Sequence, residues 1–109
     1  MASETRRIHE LRAANKRTVL RMRAEVEDQR RQFVFTELDT AITFCEVALS
    51  TENPEKKARN INNALVGYQT ALRFWSMPAE LDDDERFQRK IATLRQLLDQ
   101  LGQNPPKAK

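Results

Sequence analysis

The side chains that most often carry chemistry are few in this sequence of 109 residues and lie far apart. His9 is the single histidine and Cys45 is the single cysteine, so 36 positions separate them. A nucleophile or general base needs partner groups at a defined spacing, and neither residue has such a set around it. We therefore expect no enzyme here, and we interpret Cys45 as a small buried hydrophobe and His9 as a surface residue.

An acidic cluster, formed by Glu80 and residues 82–85, is the next candidate for chemistry. A calcium loop spaces its ligands at alternate positions and needs a glycine for its turn, and this cluster does neither. A structural zinc site needs four ligands, which one histidine and one cysteine do not provide. The sequence thus predicts no metal and no cofactor. Asp82 and Glu85 instead have the spacing of a capping box that opens a helix.

Basic residues are concentrated near the N-terminus. Residues 1–32 carry nine basic and five acidic residues, a net charge of +4, whereas residues 33–109 carry ten and eleven, a net charge of −1. Such asymmetry is typical of a segment that contacts phosphates or another anionic surface. Because no aromatic residue for base stacking lies among them, any contact with nucleic acid is expected to be weak and salt-dependent. The possible phosphate contacts are Arg6, Arg7, Arg12, Lys16, Arg17, Arg21 and Arg23.

Helices must position these side chains, and the first of them is long. No glycine or proline occurs among residues 1–53, and these are the residues that most often interrupt a helix. We therefore predict one helix over residues 4–50. Apolar residues recur along one side of its first half in a stripe about 80° wide, in which Asn15 occupies a position where an apolar residue is expected. We call this the association stripe, and it consists of Ile8, Leu11, Asn15, Val19, Met22, Val26 and Phe33.

From Val34 onward the apolar positions rotate by about 120° around the same axis, so this half of the helix must face a different neighbour. Asn53 and Pro54 form a good helix start, and Gly102 is placed as a C-terminal cap. Between them we expect two further helices joined by short loops, which favour antiparallel packing. Their predicted buried positions are Ala58, Ile61, Leu65, Tyr68, Leu72 and Trp75, followed by Phe87, Ile91, Leu94, Leu98 and Leu101.

Two positions within the second of these helices predict close packing. Gly67 costs about 1 kcal/mol relative to alanine in a helix, so we expect a neighbouring helix to approach it closely. Tyr68 and Trp75 are interpreted as core residues whose polar atoms need partners, for which Asn62 and Asn63 are the nearest candidates.

The predicted fold is all-α, with a long N-terminal helix that runs into an antiparallel three-helix bundle. Its parts are a basic amphipathic arm over residues 1–32, the bundle over residues 33–102 and a disordered tail over residues 103–109. The alternative is a reversal near residues 28–32 that closes a four-helix bundle and buries the association stripe. A tight reversal usually recruits Gly, Pro, Asn or Asp, and only Asp28 is present there.

The segment from Gly67 to Trp75 reads Gly-Tyr-Gln-Thr-Ala-Leu-Arg-Phe-Trp. It resembles the second helix of a tetratricopeptide-type hairpin, in which Gly-Tyr-x-x-Ala-hydrophobic-x-x-aromatic is frequent, and residues 41–49 resemble the helix before it. The resemblance covers residues 41–75, and no second copy follows at the period of about 34 residues that the repeat family uses. It implies a helical hairpin that binds other proteins.

These observations indicate a mode of action rather than an activity. We expect a non-enzymatic helical protein that associates with itself or with another helical protein, by a coiled-coil type of pairing in which Asn15 sets the register. The alternative is salt-dependent binding of nucleic acid or another anionic surface through the basic helix. The longest apolar run is three residues, so we expect neither a membrane span nor a signal peptide, and a cytoplasmic location.

Overall fold

A computed structural model of the chain describes residues 2–76 and 81–104, with side chains from residue 7 onward. These residues form three helices, which are α1 (Ala2–Ser50), α2 (Pro54–Phe74) and α3 (Leu81–Gln100). No strand occurs in these two ranges. The prediction of an all-α fold is confirmed.

Helix α1 contains 49 residues and continues through residues 28–32 without interruption. Residues 28–32, where the alternative prediction placed a reversal, are helical. The physical reason is local, because no glycine or proline is present there to end the helix. Packing divides the chain into two compact units, residues 1–30 and residues 31–109.

Within the second unit, α1 and α2 run in opposite directions. The Phe33 ring lies edge-on to the Phe74 ring, with centroids 6.1 Å apart, and further along α1 Ala41 lies against Gly67. A methyl group at Gly67 would be 2.9 Å from the Ala41 Cβ atom. Since carbon atoms normally pack at about 3.5–4.0 Å, only glycine allows this approach, as its position in the sequence predicted.

Helix α3 runs parallel to the same half of α1 and antiparallel to α2. Arg86 stacks on Phe35, and Lys90 binds Asp39. Residue numbers therefore increase in the same direction along both helices. The hydrophobic core lies between the three helices. It consists of Val34, Phe35, Leu38, Ala41, Cys45, Ala64, Tyr68, Ala71, Phe87, Ile91, Leu94 and Leu98.

Side-chain and backbone caps explain where the helices begin and end. Asn53 Oδ1 accepts hydrogen bonds from the backbone N–H groups of Glu55 and Lys56, at 3.0 and 3.1 Å, so Asn53 caps α2 as predicted. Gly102 has a φ of 78°, and the Gln103 N–H donates to the Leu98 carbonyl at 2.8 Å. The left-handed glycine and this hydrogen bond are features of the Schellman motif, which ends α3. Residues 105–109 of the predicted tail lie outside the described residues.

Two local predictions are wrong. Helix α3 begins at Leu81, so Asp82 lies inside its first turn and is not the cap residue of a capping box. Ala58 was placed on a buried edge and is exposed. The buried face of α2 is shifted toward small residues because helix α1 approaches there, and large side chains at Ile61, Leu65 and Leu72 are only half-buried beside it. This face consists of Asn60, Ala64, Gly67, Tyr68 and Ala71.

Candidate association surface

The association stripe lies on an exposed side of α1. Its five apolar members before residue 30 each expose between 46% and 58% of their surface. Exposed apolar side chains are common when scattered, but a contiguous row of them marks an interaction site. The row consists of Ile8, Leu11, Val19, Met22 and Val26.

A shallow open cavity of about 490 Å³ lies on this row. Its lining comprises Val19, Met22 and Val26, with Arg23 and Glu27 beside them. The three apolar residues are spaced by three and four positions, so they lie on one face of the helix. This is the form of a helix surface that a second helix can contact along its length.

Three stripe positions recur eleven residues further along α1. Ile8, Leu11 and Asn15 correspond to Val19, Met22 and Val26, and the next position of the repeat is Arg30, just outside the stripe. An eleven-residue repeat corresponds to about 3.67 residues per turn, which is close to that of an undistorted α-helix. Asn15 is the polar residue among these six positions.

Phe33, the last predicted member of the stripe, has a mixed role. Its side chain is 46% exposed, but its ring contacts Phe74 of α2 with an interplanar angle of 85°. It therefore belongs in part to the bundle surface, where aromatic edge-to-face contact is favourable. The sequence pattern alone did not distinguish this position from the rest of the stripe.

The basic residues of α1 do not form a single face. The six predicted phosphate contacts from Arg7 to Arg23 are exposed, and the side chain of Arg6 lies outside the described side chains. At about 100° per residue, Arg12, Lys16 and Arg23 lie on one side of the stripe and Arg7 lies on the other. Arg17 and Arg21 lie farther round the helix, so no more than a few of these groups can contact one partner at once.

The two flanks of the stripe differ in charge. We call Arg12, Lys16, Arg23 and Arg30 the basic flank, because all four lie within about 100° of the stripe's centre on one side. The Nη1 atom of Arg30 also lies 3.9 Å from the Oε1 atom of Glu27, one turn earlier in α1, and both side chains are about half exposed. The opposite side, which we call the mixed flank, consists of Arg7, Ala14, Thr18 and Glu25. Its net charge is zero, whereas that of the basic flank is +4.

The other candidate residues occupy structural positions. His9 is exposed, as expected. Cys45 is fully buried, and burial, together with the nearby charge of Glu46, raises the pKa of its thiol to about 11. The thiolate is the nucleophilic form, so this side chain is unsuited to nucleophilic chemistry at neutral pH.

The acidic cluster also has a structural role. Asp82, Asp83 and Asp84 occupy the first turn of α3, where the helix dipole favours negative charge. The Trp75 indole N–H donates to Asp84 Oδ1 at 3.4 Å, and Asp83 Oδ2 lies 3.9 Å from Arg31 Nε. Glu80 lies outside the described residues. Among the residues that the structure describes, no group of three or more potential ligands is close enough to hold a metal ion.

The tertiary structure supplies contacts that the sequence analysis missed. The predicted partners of Tyr68 and Trp75, Asn62 and Asn63, are exposed, so this prediction is wrong. The Tyr68 hydroxyl instead accepts hydrogen bonds from Arg95 Nη2 at 3.1 Å and Nε at 3.3 Å. Trp75 stacks on Phe87, with ring centroids 4.2 Å apart. Both partners lie on α3, and periodicity within α2 carries no signal for them.

None of the helices in the described ranges combines the length and apolar character needed to cross a membrane. Comparison with protein-family models, with curated proteins and with solved structures finds no match to this chain. The resemblance of residues 41–75 to a tetratricopeptide-type hairpin therefore rests on its sequence pattern. In the structure this segment comprises the end of α1 and helix α2, which pack as an antiparallel pair.

Proposed function

We propose that this chain is a non-enzymatic self-association module in which the association stripe of α1 pairs with the stripe of a second copy. The observation that carries the proposal is the row of five large apolar side chains that α1 exposes before residue 30. An isolated helix gains most of its stability from burying such a row, and residues 7–26 are exposed throughout. Association would supply this missing burial.

The expected strength of the pairing follows from the exposed surface. Fully burying a Leu, Val, Ile or Met side chain contributes about 1.5–3 kcal/mol, so burying the exposed half contributes about 1 kcal/mol. Ten such side chains in two copies contribute about 10 kcal/mol, which is similar to the cost of about 4–15 kcal/mol for lost translational and rotational freedom. We therefore expect reversible association that depends on protein concentration, and a strong influence of charge and register on its geometry.

The state of the titratable residues supports a non-enzymatic role. Cys45 is buried with a raised pKa, and His9 is exposed on α1. We further propose a reducing compartment such as the cytoplasm, which suits a protein whose single cysteine is a free buried thiol.

Sedimentation equilibrium of the full chain over a wide range of concentrations tests the proposal. The disrupting variant is Met22→Arg, which places a charge in the stripe. The matched control is Leu20→Arg, because Leu20 is similarly exposed at 53% but lies about 140° from the stripe's centre. Arginine is a good helix former, so both variants keep α1 helical.

We expect the wild type and Leu20→Arg to associate as concentration rises and Met22→Arg to remain monomeric. A wild-type chain that stays monomeric throughout overturns the proposal. Equal loss of association in the two variants overturns it as well, because the effect would then be one of net charge rather than of the stripe.

A second candidate function is salt-dependent binding of nucleic acid through α1. The observation in its favour is the exposure of all six basic side chains from Arg7 to Arg23. Titration of a labelled DNA duplex at two salt concentrations tests it, with Arg12→Gln/Lys16→Gln as the variant and Lys56→Gln/Lys57→Gln on α2 as the control. Each phosphate contact adds to the salt dependence of the affinity. Binding that is undetectable at low salt, or indifferent to salt, excludes this function.

A further inference from the structure

We infer that the two copies pair in parallel and in register, so that Asn15 of one copy faces the partner's Asn15 across the association stripe. This inference rests on the proposed self-association and adds its orientation and alignment. Two independent features of α1 carry it, the position of Asn15 in the repeat and the unequal charge of the two flanks.

Asn15 sets the register of the pair. In a parallel, in-register pair each stripe position faces its own copy, so two Asn15 amides meet, and each side chain can donate a hydrogen bond to the other and accept one from it. An antiparallel pair centred on residues 8–33 instead buries Asn15 against Val26 without a partner. An antiparallel pair centred on Asn15 also brings the two amides together and places Leu11 opposite Val19, so the orientation depends on the flanks.

The same residue excludes a slipped parallel pair. A slip of one full repeat moves the partner by eleven residues, which retains helical contact but again places Asn15 opposite Val26. A shift by one repeat therefore leaves the amide of Asn15 unpaired. A single polar residue in an apolar seam is an established way of setting register.

The flank charges select the parallel orientation. In a parallel pair related by a two-fold axis, the basic flank of one helix faces the mixed flank of the other. In an antiparallel pair each flank faces its own kind, so the four cations from Arg12 to Arg30 oppose four identical cations. Like charges in contact are unfavourable, whereas the parallel arrangement separates the basic flanks and brings Glu25 toward the partner's basic flank.

Complementary charges at position 15 test the register. Asn15→Asp and Asn15→Lys are prepared in the full chain and studied by sedimentation equilibrium, separately and as an equimolar mixture. We expect each variant to be monomeric where the wild type associates, and the mixture to recover association, because the new carboxylate and the new ammonium group face each other in a parallel, in-register pair. Failure of the mixture to associate overturns the inference, as does unimpaired association of either variant by itself.

Disulfide formation in a glutathione redox buffer provides a second readout. Leu11→Cys is expected to form a covalent dimer, because two copies of position 11 face each other in the parallel pair. In the antiparallel pair centred on Asn15, position 11 faces position 19, about 12 Å along the helix, and a mixture of Leu11→Cys and Val19→Cys would then cross-link instead. Leu20→Cys on the far side is the control, and the buried thiol of Cys45 does not compete.

The two proposals fail in different ways. A wild-type chain that remains monomeric contradicts the self-association on which this inference rests. A wild-type chain that associates, but cross-links between positions 11 and 19 or is not restored by the charged pair at position 15, retains self-association and overturns the parallel, in-register alignment.

Discussion

Replacing Gly67 by alanine tests the close contact between α1 and α2. The added methyl group would lie 2.9 Å from the Ala41 Cβ atom and 3.4 Å from the Glu37 carbonyl oxygen. Both neighbouring atoms belong to or adjoin the backbone of α1, so no side-chain rotation can make room. The two helices must separate by up to about 1 Å to restore normal carbon contact distances.

The size of the effect follows from opposing contributions. Alanine is favoured over glycine in a helix by about 1 kcal/mol, whereas an extra methyl group in a closely packed core costs about 1–3 kcal/mol. Because a helix must move rather than a side chain, we expect the upper part of that range. Gly67→Ala is thus expected to lower the free energy of unfolding by about 1–2 kcal/mol.

Ala41→Gly provides the matched partner for a double-mutant cycle. By itself it loses a buried methyl group, about 0.8 kcal/mol, and helix propensity, about 1 kcal/mol. Combining it with Gly67→Ala moves the methyl group from α1 to α2 within the same space, and the two propensity changes cancel. We expect the double variant to have nearly wild-type stability, which corresponds to a coupling energy of about 3–4 kcal/mol.

Urea denaturation followed by far-ultraviolet circular dichroism measures each free energy of unfolding. Gly102→Ala serves as the control, because the φ of 78° strains any other residue there although no atom lies within 4 Å. Its cost should add to that of Ala41→Gly without rescue. The packing explanation is refuted if Gly67→Ala increases stability by its helix propensity, or if its effect and that of Ala41→Gly are simply additive.

Three further predictions concern stability in the bundle. Asn53→Ala removes the cap of α2 and should lower the free energy of unfolding by about 1 kcal/mol, whereas Asn63→Ala on the exposed face should change it little in the same urea titration. Burial raises the pKa of Cys45 from 9.0 to about 11. The contribution of the neutral thiol to the free energy of unfolding is therefore complete below pH 9 and is lost as the pH rises to 11. Cys45→Ala should therefore remove part of the alkaline decline in stability, and an unchanged pH profile would contradict this cause. Tyr68→Phe removes the acceptor for Arg95 and should cost about 1 kcal/mol or more; a neutral effect in thermal unfolding would show that this hydrogen bond contributes little.

Local sequence features determined the secondary structure. The absence of glycine and proline from the first 53 residues predicts the long helix α1. Asn53 predicts the start of α2, and Gly102 predicts the end of α3. These predictions succeed because a cap or a left-handed residue acts on backbone groups only a few positions away. The exposed stripe was also visible in the sequence, since helical periodicity places its members on one face.

The tertiary structure decided which helix faces are buried and which polar groups meet. The sequence pattern predicted that the large apolar side chains of α2 form its buried face. In the structure that face is centred on Ala64, Gly67 and Ala71, because small residues let the backbone of α1 approach. Likewise, the partner of Tyr68 lies 27 residues away on α3. Such contacts depend on how whole helices are placed against one another, and no spacing within a single helix contains that information.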